Sequence, residues 1–397
     1  MIFAAASVAC RDRPAATRSI AGHDDSTATS AAAPDAPPDA AAPEMAAPPL
    51  RVATPSAPWL AGRGPSCAGY VSVSTVDLVS CAVCRDGAVH CWGDTSSRVL
   101  ARGATRGASD VTRIDGISDA AAVAASFAVA CVIDRAGRVR CWGNRGSAAS
   151  DAAHDAGPQP KVSAIVDIPL PATAVAVEVG DLHACALLAT ADVACWGRND
   201  WGQVGVDDPG SGPGGTVAPV VIPRLRAIRI AVAANVSCAV DTEHRAWCWG
   251  WNGSGAAGTG DRRHRIGLVR IGTYEDVIDI ATDGRQGCLR RANHEVRCWG
   301  QPDQLIQASP APAVRARFSA GRALAVDGDT VSSVGDDGTI TVATGAAPPR
   351  PLPGLPPVLA LSTGGGGACA ILHTGELRCW GTNHRAELVL GLSPGSR

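Results

Sequence analysis

From about residue 59 onward the chain is written in short apolar segments separated by turn-forming residues. Small-residue apolar runs recur at Ala120–Ala125, Ala174–Val179, Ala227–Ala233, Val277–Ala281 and Val358–Leu361, each broken by Gly, Asn, Asp or Ser just before a cysteine. Taken alone, Ala120 to Ile133 could pass for a buried helix; repeated along the chain, the pattern predicts strand, turn, strand. Ten residues after each such cysteine stands the tripeptide Cys-Trp-Gly, which pairs Cys81 with Cys91, Cys131 with Cys141, Cys185 with Cys195, Cys238 with Cys248, Cys288 with Cys298 and Cys369 with Cys379. Successive side chains of a strand point to opposite faces, so adjacent Cys and Trp require both faces of that strand to be covered. A β-propeller supplies this, because its blades stack face to face around an axis where small residues fit the crowded centre.

The Cys-Trp-Gly copies are 50, 54, 53, 50 and 81 residues apart, a period that signals a repeat architecture. The long last interval predicts a worn sixth copy, with Ser333-Val334-Gly335 in the Cys-Trp-Gly place and Ala323 and Ser333 in the cysteine positions, splitting it into 35 and 46 residues. That makes seven units. Cysteines lost as a pair behave as a disulfide rather than as two core thiols. If the two face each other across a hairpin, three-residue tips fall at Arg85-Asp86-Gly87, Arg135-Ala136-Gly137 and His373-Thr374-Gly375, each with Gly last, where such a tip needs a left-handed residue. Directly opposed residues are close enough to be bridged. Of the 15 cysteines, Cys67 and Cys84 remain as a candidate seventh pair and Cys10 stands alone. Cys81-Ala82-Val83-Cys84 is a Cys-x-x-Cys without a second half at ligand spacing, so no metal is expected.

The amino-terminal part is different. Residues 11–58 are Ala, Pro, Asp, Ser and Thr with almost nothing to bury, and predict a disordered tether. Residues 1–10 end in Ala-Ala-Ala-Ser-Val-Ala-Cys, small residues before Cys10 that resemble a lipoprotein processing site, without a basic start and with a short apolar stretch. The expected organisation is therefore 1–10 signal-like, 11–58 tether and 59–397 propeller. Composition narrows the class further. Hydrophobic residues at 46% can bury a sizeable core, while 35 basic against 37 acidic side chains give a net charge of −2 and no broad basic face for nucleic acid or anionic membrane. No apolar run reaches the ~18 residues that span a bilayer. So many cysteines point to an oxidising compartment.

The third unit reads Gly180-Asp181-Leu182-His183-Ala184-Cys185-Ala186-Leu187, then Cys195-Trp196-Gly197-Arg198-Asn199-Asp200-Trp201-Gly202-Gln203-Val204-Gly205. It resembles the RCC1 (regulator of chromosome condensation) repeat in its secreted bacterial form with paired cysteines. The fourth unit keeps Trp249-Gly250-Trp251-Asn252-Gly253-Ser254-Gly255, and the resemblance spans roughly Tyr70 to Gly391. The resemblance implies an all-β, seven-bladed propeller, and the 35-residue interval predicts a degenerate sixth blade that is either trimmed or a gap in the ring. The first unit opens on its cysteine hairpin, so the carboxy-terminal strand is expected to complete that blade and close the ring.

The eukaryotic namesake exchanges guanine nucleotide on a small GTPase and binds chromatin, but an oxidised, anchored chain without a basic arm suits neither role. No catalytic constellation emerges: His183 occupies a position this family uses structurally, and Asp86-Gly87 and Asp336-Asp337-Gly338 read as hairpin turns. Two features could meet a partner. Arg262, Arg263 and Arg265 form the one dense basic cluster, around His264, and Trp201 and Trp251 are extra tryptophans beside the best-formed repeats. The expected protein is a non-enzymatic, monomeric binding or scaffold module of the bacterial envelope, without cofactor, anchored through lipid on Cys10 and holding a protein or cell-surface glycan. The alternatives are a propeller enzyme acting on glycan and a nucleotide exchange factor.

Overall fold

The structure, a computed structural model, describes residues 67–76, 78–94, 97, 99–100, 108–143, 165–206, 216–300, 309–318 and 321–381. The segment ending at Cys10 and the tether expected over residues 11–58 lie outside these. Among the described residues every regular element is a strand, and every pairing is antiparallel.

Blade 1 consists of Tyr70–Val76, Val79–Cys84, Val89–Asp94 and Ala108–Arg113, and blade 2 of Ala120–Ala125, Val129–Asp134, Val139–Gly143 and Val166–Ile168. Blades 3 and 4 share one seven-stranded sheet, because the 18-residue strand Thr216–Ala233 pairs first with Asp192–Arg198 of blade 3 and then with Val236–Asp241 of blade 4. Arg224, with φ 64°, turns that strand from one blade into the next. Blade 5 runs from Val277–Thr282 to Ser309–Arg317, blade 6 from Gly321–Asp327 to Arg350–Pro351, and blade 7 shows Val358–Gly364, Gly367–Leu372 and Leu377–Gly381. The first strand of each blade lies beside that of the next, and that of blade 7 beside that of blade 1. Seven blades thus form a ring, and of the two alternatives for blade 6 it is trimmed rather than missing, its outer strand being two residues long.

Two expectations need correction. Among the described residues blade 1 has four strands without one from the carboxy terminus, since Tyr70–Val76 is its own innermost strand. This strand carries Ser72, Ser74 and Thr75 where the other blades have small apolar residues, which hid it. Those hydroxyls serve the neighbours: Ser72 and Ser74 accept hydrogen bonds from the backbone N–H of Val123 (3.2 Å) and Ala125 (3.0 Å) in blade 2. On the other side Thr75 N–H donates to Ser362 Oγ of blade 7 at 2.9 Å, and Tyr70 N–H to Gly375 O at 2.8 Å.

The second correction concerns the worn copy. Ser333 lies on the second strand of blade 6, opposite Thr341, with Asp336-Asp337-Gly338 at the hairpin tip. The places of the cysteine pair are therefore Ser332 and Val342, which face each other, and Cys-Trp-Gly becomes Val342-Ala343-Thr344. The tips settle the register. The sixth residue after the first cysteine position has positive φ in all seven blades: Gly87 (90°), Gly137 (78°), Ala191 (68°), His244 (61°), His294 (66°), Gly338 (82°) and Gly375 (86°).

The glycine of Cys-Trp-Gly has a different cause. It too has positive φ, 115° at Gly143 and 88° at Gly300. There the backbone passes so close to its neighbour that a Cβ on Gly300 would sit 2.6 Å from Arg285 O.

Candidate functional site

Each intact hairpin is stapled across its middle strands. Cys81–Cys91, Cys131–Cys141, Cys185–Cys195, Cys238–Cys248, Cys288–Cys298 and Cys369–Cys379 are joined, with Cα atoms 4.0–4.1 Å apart as directly opposed residues. Cys67 is bonded to Cys84, outside any hairpin, with Cα atoms 5.6 Å apart.

The tryptophans turn their rings the other way and lock blade to blade. Trp92, Trp196, Trp249 and Trp299 are fully buried. Trp142 Nε1–H donates to Val99 O (3.2 Å) of blade 1, Trp249 to Gln203 O (2.9 Å) of blade 3 and Trp299 to Ala256 O (2.7 Å) of blade 4. The accepting loops of blades 3 and 4 are the Asn-containing segments of the repeat. Asn199 Oδ1 accepts from Val204 N–H at 2.9 Å, and Asn252 Oδ1 from Ala257 N–H at 2.8 Å, so each Asn curls its loop until a carbonyl faces the next blade's indole. His183 belongs to the same lock. It is fully buried, its Nε2 is 2.9 Å from Ser237 Oγ, and Ser237 in turn donates to Gln203 O. Burial pushes its imidazole down to about 3, so the ring is neutral.

Those pinned loops carry the surface feature. Trp201, 40% exposed, packs against His264 with ring centroids 4.5 Å apart, and Trp251 stacks on the same imidazole at 6.4 Å. Asn252 fixes the histidine from below: its N–H donates to His264 Nδ1 (3.0 Å) while its Nδ2 donates to Thr259 Oγ1 and Asp261 O. Asp261 Oδ1 accepts from Thr259 Oγ1–H and Arg263 N–H, holding the turn that presents exposed Arg262 and Arg263. Four of the five residues singled out as partner contacts therefore gather on one ridge. Of Arg265 the backbone is described, opposite Gly250 at the start of Arg265–Arg270. Sequence reasoning left out the role of His264, the ring that joins the two tryptophans. Trp247 is not part of the ridge; its Nε1–H donates to Asp241 Oδ2 at 2.8 Å.

A second feature escaped the sequence. The first strands of blades 3 to 7 surround a cavity of about 310 Å³ whose wall includes Glu178, Arg229, Asp279 and Arg322. Asp279 is tied to the buried Arg290, 3.2 Å away, and burial holds its carboxyl up at about 6 against the pull of that guanidinium. Arg290 also donates to Ser333 Oγ of blade 6 at 3.2 Å. Glu178 has part of its surface on the cavity, but protein surrounds the carboxyl and burial pushes it up to about 7. A single carboxylate inside an apolar Val-Glu-Val strand was the available signal.

Comparison with known proteins agrees with this architecture. Residues 174–203 match the family model of the regulator of chromosome condensation (RCC1) repeat. The crystal structure of human WBSCR16 is similar with a TM-score of 0.62 at 18% identity, covering 77% of this chain and 90% of that one. Yeast RCC1 (Prp20), solved bound to Kap60, gives 0.60 at 16% identity over 75% of this chain and 78% of that one. Prp20p from Saccharomyces cerevisiae, described with its binding properties to Gsp1p and histones, gives 0.60 at 15% identity over 74% and 80%. The matched repeat at residues 174–203 is of the RCC1 type, and the fold is that of the RCC1-like propellers.

Proposed function

We propose that this chain is a non-catalytic protein-binding module of an oxidising, extracytoplasmic compartment, tethered through lipid on Cys10 and engaging its partner through the ridge formed by blades 3 and 4. The observation that carries it is the exposed Trp201 packed against His264 beside two exposed arginines, on loops already fixed by Asn199 and Asn252. Aromatic and arginine side chains on a rigid base are what binding hot spots are made of, because little ordering entropy is lost on contact. Kap60 is bound to yeast Prp20, and Gsp1p and histones are named with it. What we carry over is the use of the propeller as a protein-binding platform. The basic, aromatic ridge suits an acidic protein surface.

Cross-linking of the full-length protein to an envelope fraction tests this. We expect a protein that couples to the wild type and is lost in the Trp201→Ser/Arg263→Ser variant, with the thermal midpoint unchanged. A partner kept equally by both would overturn the assignment of the ridge. Compartment is tested separately by counting reactive thiols after denaturation without reductant. At most one is expected, from Cys10; twelve or more would return the protein to a reducing compartment.

A second reading rests on Glu178, whose carboxyl titrates near neutrality in the wall of the axial cavity and so could give or take a proton there. It makes the protein a glycan-acting enzyme. Hydrolysis of envelope glycan by the wild type, abolished in Glu178→Gln, would select this reading over the first.

A further inference from the structure

One bridge differs from the other six in its surroundings. Cys67 Sγ, Cys84 Sγ and an imidazole nitrogen of His90 lie within 4.8 Å of one another, the one such gathering of three ligand groups among the described residues. Cys84 ends the strand Val79–Cys84, His90 stands in the facing strand Val89–Asp94, and both are buried, while Cys67 is half-buried. The hairpin bridges lie in the ladder, and the polar neighbour of Cys185 is the Ser237 hydroxyl, 3.8 Å away; Cys298 is the one hairpin cysteine comparably open.

The geometry is that of a metal site one bond short of open. Cys84 Sγ lies 3.4 Å from His90 Nδ1. Bonds of about 2.3 Å to sulfur and 2.0 Å to nitrogen around one tetrahedral ion place those atoms about 3.5 Å apart. His90 is therefore already at ligating distance. The two sulfurs would have to part, to about 3.8 Å by the same arithmetic. The Tyr70 hydroxyl is 3.4 Å from the same imidazole nitrogen, and the Tyr70 ring packs edge-on against His90 with centroids 6.1 Å apart. An oxygen donor thus stands beside the place the ion would take. The backbone that carries Cys67 is held independently of the bridge, because Arg85 N–H donates to Gly69 O and Tyr70 N–H to Gly375 O, each at 2.8 Å.

We infer that Cys67, Cys84 and His90 form a redox-gated site for Zn(II), closed while the disulfide is intact and open once it is reduced. A dithiol reductant supplies two electrons and two protons: its two S–H groups become a disulfide, and the Cys67–Cys84 bond becomes two thiols. Zn(II) then binds both sulfurs, releasing their two protons to solvent, and takes the Nδ1 lone pair of His90 as third ligand, with an oxygen from Tyr70 or water as fourth. Thiolate and imidazole ligands suit a thiophilic d10 ion.

The full chain tests this. After mild phosphine reduction, alkylation mapping should find Cys67 and Cys84 free with the six hairpin pairs intact. One equivalent of Co(II), the spectroscopic probe for the site, should then give thiolate charge-transfer absorption that Zn(II) abolishes. His90→Gln, which leaves the disulfide able to form, should weaken uptake by at least about tenfold. The hairpin variant Cys131→Ser/Cys141→Ser should take up Co(II) as the wild type does. Free thiols at Cys67 and Cys84 without Co(II) uptake would overturn the inference. So would uptake unchanged in His90→Gln, or a bridge between Cys67 and Cys84 that opens only after the hairpins.

Discussion

Blades 4 and 6 are built on the same hairpin and held by different means. Blade 4 has Cys238–Cys248 across its middle strands and Trp249 driven against blade 3. Blade 6 has Ser332 opposite Val342, and Ala343, 1% exposed, in the tryptophan's place. What it has instead is Arg290, which reaches from blade 5 to Ser333 while pairing with Asp279. Blade 4 is fixed covalently within itself and by an indole to its neighbour. Blade 6 leans on a buried charge that its neighbour lends. A repeat can evidently lose staple and wedge together if another contact crosses the same interface, and the contact found here is polar.

That contrast can be broken from either side. The largest effect is expected from Trp249→Ala, which removes a fully buried indole and its hydrogen bond and should cost ~3–5 kcal/mol in chemical denaturation. Arg290→Met should cost about as much, ~3–5 kcal/mol, because Asp279 is left buried with only Arg229, 4.0 Å away, to pair it; Arg290→Met/Asp279→Leu should recover most of it, and a double variant no better than the single would show that the ion pair is not what holds blade 6. Removing the staple of blade 2 with Cys131→Ser/Cys141→Ser should cost ~2–3 kcal/mol, the scale of closing a loop of about ten residues, and Ser332→Cys/Val342→Cys should stabilise blade 6 by a comparable amount.

Acidity acts in opposite senses on two groups of blade 3. His183 is depressed to about 3 in the fold from an ordinary 6.5, so it contributes stability above pH 6.5 that is lost as pH falls towards 3. Glu178, raised to about 7 from 4.5, acts in the opposite sense: its contribution is present below pH 4.5 and lost as pH rises through 7. Thermal midpoints across this range should lose their acid-side fall in His183→Gln and their fall above pH 4.5 in Glu178→Gln. The smallest effect is at a hairpin tip. Ala191→Gly should stabilise blade 3 by about 1 kcal/mol, since Ala191 holds the left-handed conformation that Gly87 and Gly137 adopt freely.

The ring was legible because its cue is a residue pattern rather than a composition: Cys, then Cys-Trp-Gly ten later, has one register in a hairpin. Where the pattern thinned, reading slipped. Ser333-Val334-Gly335 imitates small-x-Gly and displaced the sixth copy by nine residues, although Asp336-Asp337-Gly338 marked the true tip. Tyr70–Val76 went unseen because serines occupy positions that elsewhere are small and apolar. On the ridge, Trp201, Trp251, Arg262 and Arg263 stood out as surplus aromatic and basic residues. His264 did not, since its meaning lies in which rings it separates. Arg290 and Asp279 gave still less, because two charges 11 residues apart do not announce that they meet inside a wall.

The strand Thr216–Ala233 has a mechanical consequence. A force that pulled blade 3 outward would have to peel a strand whose other end is zipped into blade 4, so neither can yield alone. The two blades bear load as one girder, and the ridge rides on it. A partner seated there could be tugged without the platform bending beneath it.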